Sequence, residues 1–414
     1  MTGRVTIIGG GVVGLCSGLA LARDRWNVRI VDAGHDDDAA ASWGNAGHIA
    51  IEQVAPLASW PMIRSAPGRL FVRGGALALP PRQIGWWLPF ALRMAHAAAP
   101  ARFAGGRDAL KTLMAEAVPA WRALVAGLGA TDLLREDGHF VAWGDPATAA
   151  HGRAGWAAAD TGTARFRDAD VDERALLRRI GGAAGAIRFE NSAQVTDLRR
   201  LRAALRAGIV AAGGTITGGR ASLALEDGRA IVTVDGERVE SERVLVAGGA
   251  RSGGLLAPIG HRVPIVGERG YHLRSADHDW PAGLPPVAFE DRSLIVTRYD
   301  DCVQVASFVE PGDPDAPPDP AKWARLEARI AELGLPIRAP FTRWMGARPT
   351  LPDYRPAIGL SRRAGNLAYA FGHQHLGLTL APTTAQIVAA LMAGRPTIPL
   401  AAFDVERFAR GDRA

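Results

Sequence analysis

The sequence predicts an α/β protein with an α+β second domain: a parallel-sheet, nucleotide-binding domain interleaved with a domain built on an antiparallel sheet. Three observations lead there. A β-branched run, a glycine-rich turn and an Ala/Leu-rich helix open the chain. Strand text running into glycine returns at 243–249 and again near the C-terminus. Between these, short alternating runs are punctuated by turn residues. At about 150 residues per domain, 414 residues make two or three domains. The motifs assign residues 1–75, 168–262 and 342–414 to the nucleotide-binding domain and 76–167 and 263–341 to the other.

The first element, Arg4-Val-Thr-Ile-Ile8, is a short buried-strand pattern. It enters Gly9-Gly10-Gly11-Val12-Val13-Gly14 and then the helix text 15–22. Gly9 permits the tight turn, Gly11 lets backbone amides reach a pyrophosphate, and Gly14 lets the helix pack on the strand. The anion would rest on the helix N-terminus, at Val12 and Val13, where free amides and the dipole favour it. A second strand over 27–31 ends in Asp32 and Ala33, and a carboxylate there accepts hydrogen bonds from ribose hydroxyls. This fits FAD or NAD better than NADP. The small-residue segment Ser42-Trp43-Gly44-Asn45-Ala46-Gly47-His48 suits a loop reaching toward a flavin ring, its alternative being a surface turn. The run His35-Asp36-Asp37-Asp38 reads as a solvated turn.

Residues 80–100 carry Trp86, Trp87, Leu88, Phe90, Leu92 and Met94 around Pro89. A buried helix-turn beneath the second domain is the favoured reading, with an amphipathic stretch touching a membrane as the other. Helical periodicity over about 110–128 is followed by strand text at 139–143. After Val195 and Asp197 come a helix to about 212, a strand, and a meander with Asp227-Gly228 and Asp235-Gly236 as hairpin turns. The run 243–246 into Ala247-Gly248 closes the nucleotide-binding sheet, its glycines passing near the cofactor. Strands around 270–273, 293–297 and 303–306 form the antiparallel set, and an acidic, Pro-rich linker precedes a charged helix over 320–333.

Composition excludes other classes. Hydrophobic residues at 48% and charged residues at 22% rule out a wholly disordered chain. The net charge of +6 rests almost wholly on scattered arginine, Lys111 and Lys322 being the only lysines, which argues against a nucleic-acid track. Cys16 and Cys302 fit neither a disulfide framework nor a zinc spacing. No signal peptide and no spanning apolar run are expected. The expected location is the cytoplasm, with a peripheral contact on the inner face of the cell membrane left open.

Near the C-terminus, Gly346-Ala-Arg348-Pro349-Thr-Leu-Pro-Asp353-Tyr-Arg-Pro356-Ala-Ile358-Gly359 is followed by Gly372-His373-Gln374-His375-Leu376-Gly377-Leu378-Thr379. Together with the opening glycines, this pairing closely resembles the FAD-dependent D-amino-acid oxidase/dehydrogenase and glycine oxidase superfamily over nearly the whole chain. The 42–48 loop resembles the flavin-loop motif of bacterial D-amino-acid dehydrogenases, and within that group Glu268-Arg269-Gly270-Tyr271-His272 and the Gly372–Gly377 segment look most like the D-hydroxyproline dehydrogenase branch.

The resemblance implies non-covalent FAD, because Cys302 is not at the position where sarcosine oxidase relatives attach it. It assigns Gly9, Gly11, Val12, Val13, Gly14, Asp32, Ala33, Ser42, Asn45, Ala46, Gly47, His48, Val195, Ala247 and Gly248 to the cofactor, joined by Gly372, His373, Gly377, Leu378 and Thr379 at the flavin's pyrimidine edge. Arg348 would grip a substrate carboxylate through its bidentate fork, the alternative being an ion pair with Asp353. Tyr271 would share that carboxylate, wall the pocket or belong to the core, and His375 would touch substrate. No metal is expected. The implied reaction is removal of the α-hydrogen of a D-amino acid, with D-proline or cis-4-hydroxy-D-proline as candidates, as hydride to flavin N5. A quinone or similar acceptor is favoured over oxygen. Alternatives are a glycine/sarcosine-type oxidase and an FAD subunit of a multi-protein electron-transfer dehydrogenase.

Overall fold

The computed structural model describes residues 3–34 and 40–409, so the 35–38 run read as a solvated turn lies outside the described residues. Its central sheet has six strands, in the order Ala357–Leu360, Leu367–Phe371, Arg243–Val246, Arg4–Ile8, Asn27–Asp32, Thr215–Gly218. All pairs are parallel except the first. Sequence-distant strands therefore meet at the nucleotide end, as the recurring glycine-bordered strands predict. Helix Val12–Arg23 packs on this sheet beside Leu198–Ala211 and Gly377–Met392, burying Leu15, Leu19, Leu205 and Val388. Each such buried side chain contributes about 1.5–3 kcal/mol. Gly18 keeps the helix close, since a Cβ there would lie 2.6 Å from Ile30 Cδ1. Gln374–Met392 is long and apolar enough to cross a membrane by composition, and it is mostly buried inside the fold.

The second sheet has eight strands, in the order Thr342–Thr350, Val266–Ser275, Val303–Gly312, Leu294–Arg298, Val287–Phe289, His139–Trp143, Gly185–Phe189, Phe166–Asp168. It is antiparallel apart from the contact between Val287–Phe289 and His139–Trp143. Phe166–Asp168, Gly185–Phe189 and Thr342–Thr350 sit in this sheet, although the boundaries read from sequence gave most of them to 168–262 and 342–414. Long-range pairing decides their membership, and a linear reading carries no signal of it. The meander Ala221–Glu226, Arg229–Val234, Glu237–Val239 forms its own three-stranded sheet. Its turns follow the expected chemistry, with positive φ at Asp227 (48°) and Gly228 (71°) and at Asp235 (50°) and Gly236 (94°).

Two helical readings need correction. The periodic stretch expected over 110–128 is two helices, Pro100–Ala115 and Ala117–Gly127, broken at Glu116. The 80–100 segment is no buried helix-turn: it forms the helix Ile84–Ala97, on which only Phe90 is buried. The sequence pattern is apolar nearly all round, which by itself does not say which face meets the core.

Candidate functional site

One continuous cavity of about 1910 Å³ runs from the first glycine turn, between the two sheets, to the helix start at Gly377. At the nucleotide end Gly9 adopts φ 115°, and a Cβ on Gly14 would overlap the Gly9 carbonyl oxygen, so both positions demand glycine. Gly10 lies against Asp32, whose Oδ2 would be 2.5 Å from an added Cβ. The Val12 N–H, at the start of the first helix, donates to Ser42 Oγ (3.1 Å), which ties the flavin-side loop to the anion-binding turn. Gly9, Gly11, Val12, Val13, Asp32, Ala33, Ser42, Asn45, Ala46, His48, Ala247 and Gly248 all line the cavity. So do His373, Gly377 and Leu378.

Five expected cofactor residues stand behind the wall rather than on it. Gly14 packs the helix. Gly47 accepts a hydrogen bond from the Val195 N–H (2.8 Å), which holds the loop against strand Ala193–Val195. Gly372 turns the chain at φ 78°, and Thr379 Oγ1 accepts from the Ala50 N–H (3.0 Å). These are positioning contacts. An anion at the glycine turn, a ribose at Asp32 and a flat ring between the 42–48 loop and Gly377 are the parts this cavity can take, and they match the outline of FAD.

The opposite wall comes from two paired strands, Val266–Ser275 and Thr342–Thr350. Their register sets Glu268 opposite Arg348, Gly270 opposite Gly346, and His272 opposite Trp344. Side chains alternate along a strand, so these three rungs share one face. His272 stacks on Trp344 (centroids 4.7 Å, planes 9° apart), and its Nδ1 is 3.2 Å from the Gly44 carbonyl. A Cβ on Gly346 or Gly44 would enter the Trp344 ring, and one on Gly270 would enter the Arg348 guanidinium. The glycine rung thus lets the Trp344 ring lie over Gly346 and the Arg348 guanidinium over Gly270, which sets an aromatic end and a cationic end side by side on one face.

Arg348 Nη1 donates to the Phe308 carbonyl (3.0 Å) and lies 3.5 Å from Glu268 Oε1. Glu268 in turn accepts from Tyr354 Oη (3.1 Å). Asp353, considered as the ion partner of Arg348, instead pairs with Arg355 (2.8 Å) and Arg407 (2.7 Å). Arg348 is therefore held at Nη1, while Nε and Nη2 carry no hydrogen bond among the described residues. Tyr271 falls on the odd-numbered face, away from Arg348. Its hydroxyl sits 3.4 Å from Glu310 and accepts from the Asp319 N–H (3.2 Å), inside a buried network of Arg269, Glu310 and Lys322. Its ring belongs to the buried core beside Phe308 and Trp323 and also lines the cavity, so of its expected roles the pocket wall and the core are the ones its position supports, while the alternation turns its side chain from Arg348.

His375 lines the cavity and contacts Gln53 through Nε2. Burial, with the nearby charges of Arg348 and His48, holds its imidazole at about 3. Burial likewise holds His48 at about 4 and His373 at about 3. His272 is pushed well down by burial and by Arg274 and Arg348. These neutral rings leave guanidinium as the charge that an anionic substrate meets. His373 Nε2 contacts Thr384 Oγ1 (3.0 Å), so His373 and His375 turn to different partners and do not act as a pair.

Sequence reading missed Glu268, His272, Trp344, Gln53, Glu52 and His139. A period-two reading of Trp344, Gly346 and Arg348 would have found one strand of the opposite wall. Glu52 and His139 carried no motif. Glu52, His48 and His139 place ligand-capable atoms within 4.8 Å of one another, and burial raises the Glu52 carboxyl from 4.5 to about 7. The folded protein thus keeps a proton that the unfolded chain has released, so stability falls as pH rises from 4.5 to 7. The penalty, complete above 7, is about 3 kcal/mol. The histidines that burial holds low act in the opposite sense and act alike in both proteins, so the effect is read as the stability of Glu52→Gln minus that of wild type, by urea unfolding of the apoproteins. The variant should gain on wild type between pH 5 and pH 8, and an equal pH dependence in the two proteins would remove Glu52 as a source.

The chain has relatives of known name. It is 30% identical to a D-amino-acid oxidase of Bradyrhizobium diazoefficiens over 98% of this chain and 99% of that one. It is 30% identical to D-amino acid dehydrogenase 2 of Pseudomonas aeruginosa over 96% of each. Among solved structures, glycine oxidase from Geobacillus kaustophilus superposes with a TM-score of 0.73 at 20% identity, covering 98% and 99% of the two chains. Iminodiacetate oxidase from Chelativorans gives 0.72 at 23% identity, covering 97% and 98%. These two likenesses concern the fold. The family model DAO, described as FAD dependent oxidoreductase, matches residues 4–391. With that match spanning nearly the whole cavity-forming chain, the protein belongs to the FAD dependent oxidoreductase family and is an FAD enzyme.

Proposed function

We propose that this enzyme dehydrogenates a D-amino acid at its α-carbon, with cis-4-hydroxy-D-proline or D-proline as the substrate and a quinone as the favoured acceptor. The observation that carries the reading is the wall on which the Arg348 guanidinium and the His272–Trp344 stack lie side by side over the glycine rung, facing the cofactor cavity. A small zwitterion fits against such a wall when its carboxylate meets Arg348. The two relatives named for D-amino acids support the choice of class.

Bound flavin supplies a two-electron acceptor for the α-hydrogen. The protein's own residues do the rest. Arg348, braced by Glu268 and the Phe308 carbonyl, fixes the carboxylate and so the direction of the Cα–H bond. Positioning of this kind is worth several kcal/mol of barrier, up to about 7–11 kcal/mol in ideal cases. The ammonium proton of the zwitterion passes to water, and the neutral imidazoles of His48, His272 and His375 place no positive charge against the nitrogen. With its lone pair free, the nitrogen forms the C=N bond as the α-hydrogen leaves with the C–H electron pair, and loss of the remaining N–H proton to water leaves a cyclic substrate as a pyrroline carboxylate.

Steady-state assays with cis-4-hydroxy-D-proline, D-proline, D-alanine, glycine and sarcosine, each with a soluble quinone or with oxygen, test this. Cyclic D-amino acids should exceed glycine and sarcosine in kcat/KM by about tenfold or more, and quinone should outpace oxygen. Sarcosine as the best substrate with oxygen as the best acceptor would replace this reading by an oxidase.

A further inference from the structure

Between Glu52 and Asp108 the chain runs 55 residues without one carboxylate, while carrying seven arginines. This stretch also holds six of the ten large apolar side chains exposed among the described residues: Trp60, Val72, Ile84, Trp86, Leu88 and Leu92. Ile84, Leu88 and Leu92 are spaced four apart on helix Ile84–Ala97 and form one stripe, open to solvent to 50%, 41% and 65%. A surface helix normally turns its polar residues outward. Here the outward arc is apolar and its one formal charge is Arg93.

We propose that this face docks on an anionic lipid bilayer. The inner side of the helix fixes the geometry: Phe90, Met94 and Ala97 pack against Leu57, Ala58 and Tyr354, which sets the short helix Trp60–Ser65 beside Ile84–Ala97. Exposed Trp86, on the first turn of this helix but about 120–200° around its axis from the stripe, and Trp60, two residues beyond Ala58, border this face, and indoles favour the headgroup boundary. Among the described residues Arg64, Arg73, Arg82, Arg93 and Arg102 enter no ion pair, so their charge is available to anionic headgroups. In the acidic loop that borders Gln83, Asp315 pairs with Arg251 and Asp319 with Lys322, which leaves Asp313, whose carboxylate accepts from the Asp315 N–H, as one negative charge against these five arginines. An apolar partner protein would be served by the stripe alone; the excess of arginine selects an anionic surface.

The residues Leu57, Ser59, Pro61 and Met62, which flank Trp60, also line the catalytic cavity. Docking would bring the cavity rim to the lipid surface. On the proposed quinone reading, that is where a lipid-dissolved acceptor resides, but the docking itself does not depend on that reading.

The test is co-sedimentation of the FAD-loaded enzyme, without substrate, with phosphatidylcholine vesicles containing or lacking phosphatidylglycerol. Wild type should partition about tenfold more strongly onto the phosphatidylglycerol vesicles, and high salt should weaken that binding. The pair Leu88→Glu with Leu92→Glu, and separately Arg82→Ala with Arg93→Ala, should each lower it about tenfold, with flavin content and dye-linked turnover unchanged. Equal binding to both vesicles, or full binding by both variant pairs, overturns the proposal. So does light scattering that finds a dimer broken by the glutamate pair with no vesicle binding by wild type, which would assign the face to a second copy of the chain.

Discussion

Arg348→Ala should lower kcat/KM for the amino-acid substrate by about 10²–10³ while the purified protein stays yellow. Removing one partner of a buried, hydrogen-bonded charge pair costs about 3–4 kcal/mol, and on the proposed function the loss falls on the substrate carboxylate. Arg348→Lys should recover little, because an ammonium cannot reproduce the planar geometry of guanidinium. The flavin survives because Arg348 sits on the wall of Val266–Ser275 and Thr342–Thr350, not at the glycine turn. Steady-state kinetics beside the absorbance of bound flavin separates the two effects. Equal kcat/KM in wild type and the alanine variant would remove Arg348 from the substrate.

The second large effect is at the other end of the cavity. Gly14→Ala should yield protein with little bound flavin, because the new methyl would overlap the Gly9 carbonyl oxygen, a backbone atom that cannot swing aside. Overpacking of this kind costs about 1–3 kcal/mol, which is about 5- to 150-fold in flavin affinity. Fluorescence titration of the apoprotein with FAD measures it. Since Gly14 stands behind the wall, its effect passes through the position of the turn. Wild-type affinity in the variant would show that helix and strand can separate without cost.

The nucleotide half of this site was legible because its determinants are local: strand, turn, helix and a carboxylate at the next strand's end lie within 32 residues. The hairpins at Asp227-Gly228 and Asp235-Gly236 were legible for the same reason, as each turn demands positive φ from two adjacent residues. The wall of Val266–Ser275 and Thr342–Thr350, proposed to meet the substrate, was only half visible. Arg348 came through the resemblance, but the strand beneath it did not, since the text of 342–350 mixes charge, glycine and proline. Its partner strand lies some eighty residues earlier. Without that pairing, Tyr271 reads as a neighbour of the substrate, whereas the alternation of the sheet turns it toward Glu310. Helix Ile84–Ala97 failed differently: its apolar text was read correctly, but burial was inferred from apolarity, and the fold leaves its outward stripe uncovered.

The central claim is that a D-amino acid anchored at Arg348 delivers its α-hydrogen to the flavin in this cavity. Anaerobic stopped-flow mixing of the yellow enzyme with each enantiomer of proline and 4-hydroxyproline, followed at the flavin absorbance band, tests it most directly. The account predicts bleaching by the D-enantiomer at a saturable rate, and a much slower approach in Arg348→Ala. Flavin that stays oxidised with every D-amino acid, or that bleaches equally in the two proteins, would contradict it.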